Sequence, residues 1–114
     1  MKLAVTLALA AAAAGTADLA AQEKQESIRA AAKLTGITSG MAMACELDSK
    51  PVLHAYRDLL DRHRILGTER DQLVQIVSAA SDRGYATQRQ PGAMACGDVA
   101  KQMQRTVRRL QRAK

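Results

Sequence analysis

Two cysteines, Cys45 and Cys96, carry the most reactive side chains of this 114-residue chain. Each ends the same string, Ala-Met-Ala-Cys, but the flanking residues diverge, so we do not interpret the match as a duplication. In an oxidising compartment, two cysteines of a small domain usually pair, and closing a loop of this length stabilises the fold by about 4 kcal/mol. We therefore predict a Cys45–Cys96 disulfide. Free thiols, an intermolecular bridge and a metal site are the alternatives.

Methionines lie close to both cysteines in the sequence, which raises the question of a soft-metal site. Met41, Met43 and Met94, together with the two thiolates, are the ligand types that select Cu(I). Three points argue against copper: Met41 and Met43 face different sides of a helix, methionine commonly fills cores, and a disulfide consumes both thiolates. We predict no metal site and keep copper binding as the weakest alternative.

The residues that most often perform catalysis form no constellation in this sequence. His54 and His63 lie nine residues apart on one expected helix, which places them on opposite sides. The chain has no glycine-rich phosphate loop, no nucleophile elbow, no His-Glu-x-x-His and no Cys-x-x-Cys. We predict no catalytic residue and no cofactor, and we predict that the protein is not an enzyme.

The basic residues are unevenly distributed. Residues 22–100 hold equal numbers of basic and acidic side chains, whereas residues 101–114 hold no acid. The net charge of +6 therefore comes from the last segment, whose basic residues are Lys101, Arg105, Arg108, Arg109, Arg112 and Lys114. At helical spacing all of these except Lys114 share one side, opposite Met103, Val107 and Leu110. This pattern predicts a basic amphipathic helix.

A basic helix of this kind attracts polyanions. We predict that it contacts an acidic protein or an anionic envelope component, such as lipid head groups or lipopolysaccharide, through Lys101, Arg105, Arg108, Arg109 and Arg112. The alternative is that these cations only complement the helix dipole and keep the protein in solution. Nucleic acid is the least favoured partner, because the chain has only two aromatic residues and no recognisable reading motif.

Residues 1–21 have the pattern of a signal peptide. Lys2 gives a positive start, the run from Leu3 to Ala14 is apolar, and small residues precede a cleavage site after Ala21 or Ala17. The apolar run is shorter than the about 20 residues that a membrane-spanning helix needs. We therefore expect cleavage, export to the periplasm or the cell exterior, and no transmembrane span.

The mature chain, residues 22–114, is expected to be a single all-α domain and a monomer or weak dimer. It is rich in helix-forming residues, and no long stretch alternates apolar and polar residues as a strand would. We predict a small four- to five-helix bundle closed by one disulfide. The expected helices are Glu23–Leu34, a short one from Ser39 to Leu47, Lys50–Leu66, Glu69–Arg83 and a basic one over about 93–114.

Two further expectations concern the middle of the chain. The helices on either side of Gly67 are expected to form an antiparallel hairpin, which the disulfide would close into a ring. Residues Tyr85–Gly92 combine glycine, proline and polar residues and are expected to form a loop.

Together these features predict a small exported helical protein that acts by binding. In layout, an exported domain with two widely spaced cysteines and a basic last helix resembles the small periplasmic acid-stress chaperones. That resemblance implies a periplasmic stress-chaperone function, which is the first alternative to the binding function and ranks above copper binding. The aromatic residues which that family places beside its first cysteine are absent beside Cys45.

Overall fold

The computed structural model describes residues 2–114, with side chains from Leu19 onward. The chain forms four helices, and no strand occurs in residues 2–114. In chain order they are α1 (Lys2–Ala44), α2 (Lys50–Arg62), α3 (Gly67–Gln88) and α4 (Cys96–Arg112). The prediction of an all-α bundle closed by one disulfide is confirmed. Most of the expected signal peptide, up to Asp18, lies outside the residues whose side chains are described.

The first helix is continuous, and the expected break at Thr35-Gly36 was a wrong prediction. α1 runs through Gly36 and Gly40 because both glycines lie where the backbone of α3 comes very close. A Cβ atom added at Gly36 would lie 2.6 Å from the Cβ of Ala80, and one at Gly40 would lie 2.7 Å from the backbone nitrogen of Tyr85. The glycines are therefore packing residues, and the contact with α3 offsets their cost of about 1 kcal/mol each in a helix.

The third helix also passes its expected end. α3 continues through Gly84, which is buried and would place an added Cβ only 2.9 Å from the Cα of Ile37 in α1. Residues 85–88, expected to lie in a loop, are helical, and the loop begins at Arg89. The stretch from Gly36 to Gly40 and the stretch from Val77 to Gly84 form what we call the α1–α3 seam.

The expected hairpin of α2 and α3 does not form as an extended contact. α3 packs along α1 instead, which is the largest helix–helix interface in the structure, while α2 and α4 pack on each other and on α1. The reason is the size of the side chains that α2 and α3 present. α3 presents small residues that match the glycines of α1, whereas α2 presents large aliphatic side chains that need a wider space.

Two helices end on left-handed residues that are not glycine. Glu46, at φ 57°, follows α1, and Arg64, at φ 53°, follows α2. After each, a backbone N–H reaches back five residues, from Leu47 to the carbonyl of Ala42 at 2.8 Å and from Ile65 to that of Leu60 at 3.0 Å. This is the Schellman pattern, which usually selects glycine. For this reason the expected extension of α2 to Leu66 was wrong.

The hydrophobic core lies mainly among α1, α2 and α4, with Leu73 of α3 at one end. Its fully buried large side chains are Val52, Leu59, Leu60, Val99 and Leu110. After α2, Ile65 is buried, whereas Leu66, at the expected end of that helix, is 69% exposed. The core also holds four buried hydroxyl-bearing residues, Thr35, Thr38, Ser39 and Thr106.

The disulfide joins Cys45, directly after α1, to Cys96, the first residue of α4, with a Cα–Cα distance of 5.6 Å. It confirms the predicted pairing. Because α2 and α3 lie between the two cysteines, the bond closes them into a covalent ring. It also fixes the position at which the basic helix starts.

Candidate anion-binding surface

α4 is oriented by the apolar and hydroxyl side chains of one face. Val99, Thr106 and Leu110 are buried, and Met103 and Val107 pack against the core while remaining half-buried. The spacing of these residues leaves the opposite side of the helix to the solvent. That side carries the expected basic residues, all of them exposed: Lys101, Arg105, Arg108, Arg109 and Arg112.

Both ends of α4 are held. Cys96 ties the first turn to the end of α1 through the disulfide. At the other end, the guanidinium of Arg62 in α2 donates hydrogen bonds to the carbonyl oxygens of Leu110 at 2.8 Å and Ala113 at 3.3 Å. These carbonyls belong to the group that a helix leaves without internal partners, and a cation favours the negative end of the helix dipole.

Arg62 was not singled out from the sequence. It follows Asp61 directly in the sequence, on a helix of mixed charge. Asp61 pairs with Arg70, at 2.7 Å between Oδ1 and Nη1, and Arg62 caps α4. Only the crossing of α2 and α4 in space brings this guanidinium to the last turn of the basic helix.

The basic side chains of α4 have no acidic partners. Among the side chains of residues 19–114, the pair of Arg70 and Asp61 is the only ion pair. Arg105 donates a 2.9 Å hydrogen bond to the amide oxygen of Gln102, one turn away on the same helix. The positive charges of α4 are thus neither neutralised within the described part of the chain nor withdrawn from solvent.

Four of these arginines surround one depression. Arg105, Arg108, Arg109 and Arg112, with Ala113, line a concave volume of about 440 Å³, which we call the arginine cup. Lys101 lies outside it, one turn toward the start of α4. A guanidinium presents a planar fork of N–H donors that matches phosphate and carboxylate oxygens two at a time. The cup can therefore bind a compact anion through several arginines at once.

The other residues considered for chemistry do not converge. His54 is exposed, and His63 is half-buried just after α2. Both thiolates are consumed by the disulfide, which removes them from the ligand set considered for copper. No group of three His, Cys, Asp or Glu residues close enough to hold a metal occurs in the described residues.

No helix within the described part of the chain combines the length and the apolar character needed to cross a membrane. Comparison with protein-family models, with curated proteins and with solved structures finds no match to this chain.

Proposed function

We propose that this protein is an exported helical binding protein that contacts an anionic partner through α4. The observation that carries the proposal is the row of five exposed cations on a helix without acidic partners: Lys101, Arg105, Arg108, Arg109 and Arg112. The partner is an acidic protein or an anionic envelope component such as a phosphate-bearing lipid head group.

The helix dipole does not account for this row. A dipole favours cations only within the last turn of a helix, and in α4 that turn holds Arg109 and Arg112. Lys101, Arg105 and Arg108 lie before it, and Arg62 already donates to the carbonyls at the helix end. Most of the positive charge on this side therefore lies outside the turn in which the dipole favours cations.

Two features support export. The compartment determines which polyanions the protein can meet. Residues 1–21 carry the signal-peptide pattern, and the Cys45–Cys96 disulfide suits an oxidising compartment. Polyanions outside the cytoplasm include lipid head groups and lipopolysaccharide. The stress-chaperone and copper-binding alternatives stay predictions.

The test is a charge reversal with a matched control. The first variant changes Arg105, Arg108, Arg109 and Arg112 to Glu. The control variant changes four exposed arginines outside α4 to Glu, namely Arg29, Arg57, Arg64 and Arg83. Both lower the net charge by the same amount, so a difference between them reports position.

Binding is measured by co-sedimentation with vesicles of phosphatidylcholine alone or mixed with an anionic phospholipid. We expect the natural protein and the control variant to bind the anionic vesicles in a salt-dependent manner, and the α4 variant to lose more than about tenfold in affinity. Circular dichroism checks that each variant is folded. Equal binding by the α4 variant and the natural protein would refute the proposal.

A further inference from the structure

A second concavity adjoins the arginine cup. It is a groove of about 590 Å³ between α4 and the start of α2, and its volume lies within the range of about 300–1,000 Å³ typical of small-molecule sites. Its lining is Leu47, Asp48, Pro51, Ala100, Met103, Gln104, Val107 and Arg108. Arg108 lines both the groove and the cup, so the two concavities meet at this residue: the groove lies on the side of α4 that carries Met103 and Val107, and the cup lies on the neighbouring, solvent-facing side.

The groove is apolar over most of its lining, and its positive charge is at one end. Leu47, Pro51, Ala100, Met103 and Val107 contribute aliphatic surface. The carboxylate of Asp48 accepts a 3.0 Å hydrogen bond from the backbone N–H of Lys50, so it is occupied with the start of α2.

The order of the two concavities along α4 gives the surface a direction. The groove covers the helix from Ala100 to Arg108, a rise of about 12 Å, and the cup covers it from Arg105 to Ala113, about a third of a turn around the helix, so a ligand that fills both crosses Arg108. A ligand that fills both has an uncharged apolar body toward the start of α4 and a compact anionic group toward its end.

We propose that this surface binds a single-chain amphiphile whose head group is a phosphate, with the head in the arginine cup and the chain in the groove. The inference rests on the proposed function and names the partner class for the same helix. Four arginines around one depression suit one compact, doubly charged anion that accepts several N–H donors. The row of cations alone would also suit an acidic protein, but such a partner gives no reason for an apolar groove that meets the cup at Arg108.

The proposal predicts a dependence on chain length. Each methylene group that enters an apolar groove adds to the affinity, by up to about fourfold when it is fully buried. In an open groove we expect about twofold per methylene. A head group alone makes only the ionic contacts, so inorganic phosphate should bind much more weakly than an alkyl phosphate of the same charge.

The experiment is isothermal titration calorimetry of the purified full-length protein. The probes are inorganic phosphate, hexyl, octyl and decyl phosphate, and the uncharged decyl maltoside, all kept below the concentrations at which they form micelles. We expect affinity to rise at least tenfold from hexyl to decyl phosphate and decyl maltoside to bind at least tenfold more weakly than decyl phosphate. Anionic vesicles are tested in parallel.

The groove is then blocked without any change in charge. Ala100→Gln places a longer side chain in the groove, and Ala79→Gln, at an exposed position of α3, is the matched control. We expect Ala100→Gln to lower decyl phosphate affinity about tenfold while vesicle binding through the arginines persists, and Ala79→Gln to change neither. If Ala100→Gln does not fold, Pro51→Ser, which removes an exposed apolar ring from the groove wall, takes its place.

The outcomes separate the two proposals. Affinity that is independent of chain length, or unchanged in Ala100→Gln, would overturn the amphiphile site and leave anion binding by α4 standing. Equal binding of decyl maltoside and decyl phosphate would overturn the role of the cup. Tighter binding of an acidic amphipathic peptide than of decyl phosphate would assign the surface to a protein partner. Loss of all anion binding would overturn both proposals.

Discussion

The two sides of α1 pack in different ways. Against α3, backbones approach so closely that glycine is required at Gly36, Gly40 and Gly84. Against α2 and α4, the contact is made by large side chains such as Leu59, Leu60 and Leu110 of the core. One side is a seam of small residues, and the other is a layer of aliphatic side chains.

The concavities follow this difference in part. The α1–α3 seam brings two backbones into contact, and the concavity between these helices lies beyond the seam, where Ile28, Leu73 and Ile76 are among its lining residues. On the other side of α1, Met103 and Val107 of α4 stay half-buried and line the groove. The candidate site thus lies on the side of α1 that packs through large side chains.

The largest effect is expected on the side of α1 that packs against α4, where the disulfide lies. Changing Cys45 and Cys96 together to Ala removes the cross-link between the end of α1 and the start of α4. The unfolded chain then gains conformational freedom, so we expect the free energy of unfolding to fall by about 4 kcal/mol. Equilibrium unfolding in urea measures this change in the free energy of unfolding.

Reduction of the natural protein should have a similar effect, and the same reductant should leave the Cys→Ala variant unchanged. Equal urea midpoints for the natural protein and the variant would show that non-covalent packing alone holds α4 in place.

A smaller loss is expected from crowding the seam. Gly40→Leu must displace the backbone of α3 near Tyr85, and overpacking of this kind costs about 3 kcal/mol. The matched control is Gly97→Ala, because no atom lies within 4 Å of a Cβ added there. That variant should gain about 0.5 kcal/mol from higher helix propensity.

Thermal unfolding followed by circular dichroism compares the two variants. A melting temperature of Gly40→Leu at or above that of the natural protein would contradict the close backbone approach of α1 and α3.

The smallest effect concerns a hydrogen bond between α2 and α1. The Tyr56 hydroxyl donates to the Ile28 carbonyl at 3.2 Å, and Tyr56→Phe leaves that oxygen without this partner, at a cost of about 1 kcal/mol. Burial raises the pKa of Tyr56 from 10.0 to about 12. The folded state therefore favours the neutral phenol. The free energy of unfolding that Tyr56 contributes is present in full below pH 10 and is lost as the pH rises toward 12.

The measurement is the difference in unfolding free energy between natural protein and Tyr56→Phe at pH 8, 10 and 11.5. We expect it to shrink or reverse at the highest pH, while the difference at pH 8 and at pH 10 stays similar. A difference that does not change between pH 10 and 11.5 would show that Tyr56 is not desolvated in the folded state.

Composition and periodicity were sufficient to predict the helical class, the disulfide and the basic face of α4, because each depends on local residue types. They misplaced the ends of α1, α2 and α3 because Gly36, Gly67 and Gly84 were each taken as the end of a helix. Here Gly36 and Gly40 pack against another helix, while Glu46 and Arg64 take the left-handed positions that usually favour glycine. Only tertiary contacts distinguish a glycine that packs against another helix from one that ends its own helix.

The same limit applies to the candidate surface. Spacing placed Lys101, Arg105, Arg108, Arg109 and Arg112 on one side, but it gave no sign of the groove, which depends on how α4 crosses α2. It also missed Arg62, whose partner oxygens lie 48 and 51 residues further along the chain. Contacts between residues this distant in sequence cannot be derived from one chain's periodicity.

The two attachments of α4 have a consequence for resistance to proteases. Peptide bonds after lysine and arginine are the substrates of trypsin-like proteases. α4 carries a row of these bonds, yet a protease must unwind the helix before it can bind them in extended form. The disulfide of Cys96 holds the first turn of α4, and the hydrogen bond from Arg62 to the Leu110 carbonyl holds the last turn, so both ends of the helix resist fraying. The disulfide and the Arg62 guanidinium, which position the cations of α4, thus also protect the peptide bonds that follow those cations.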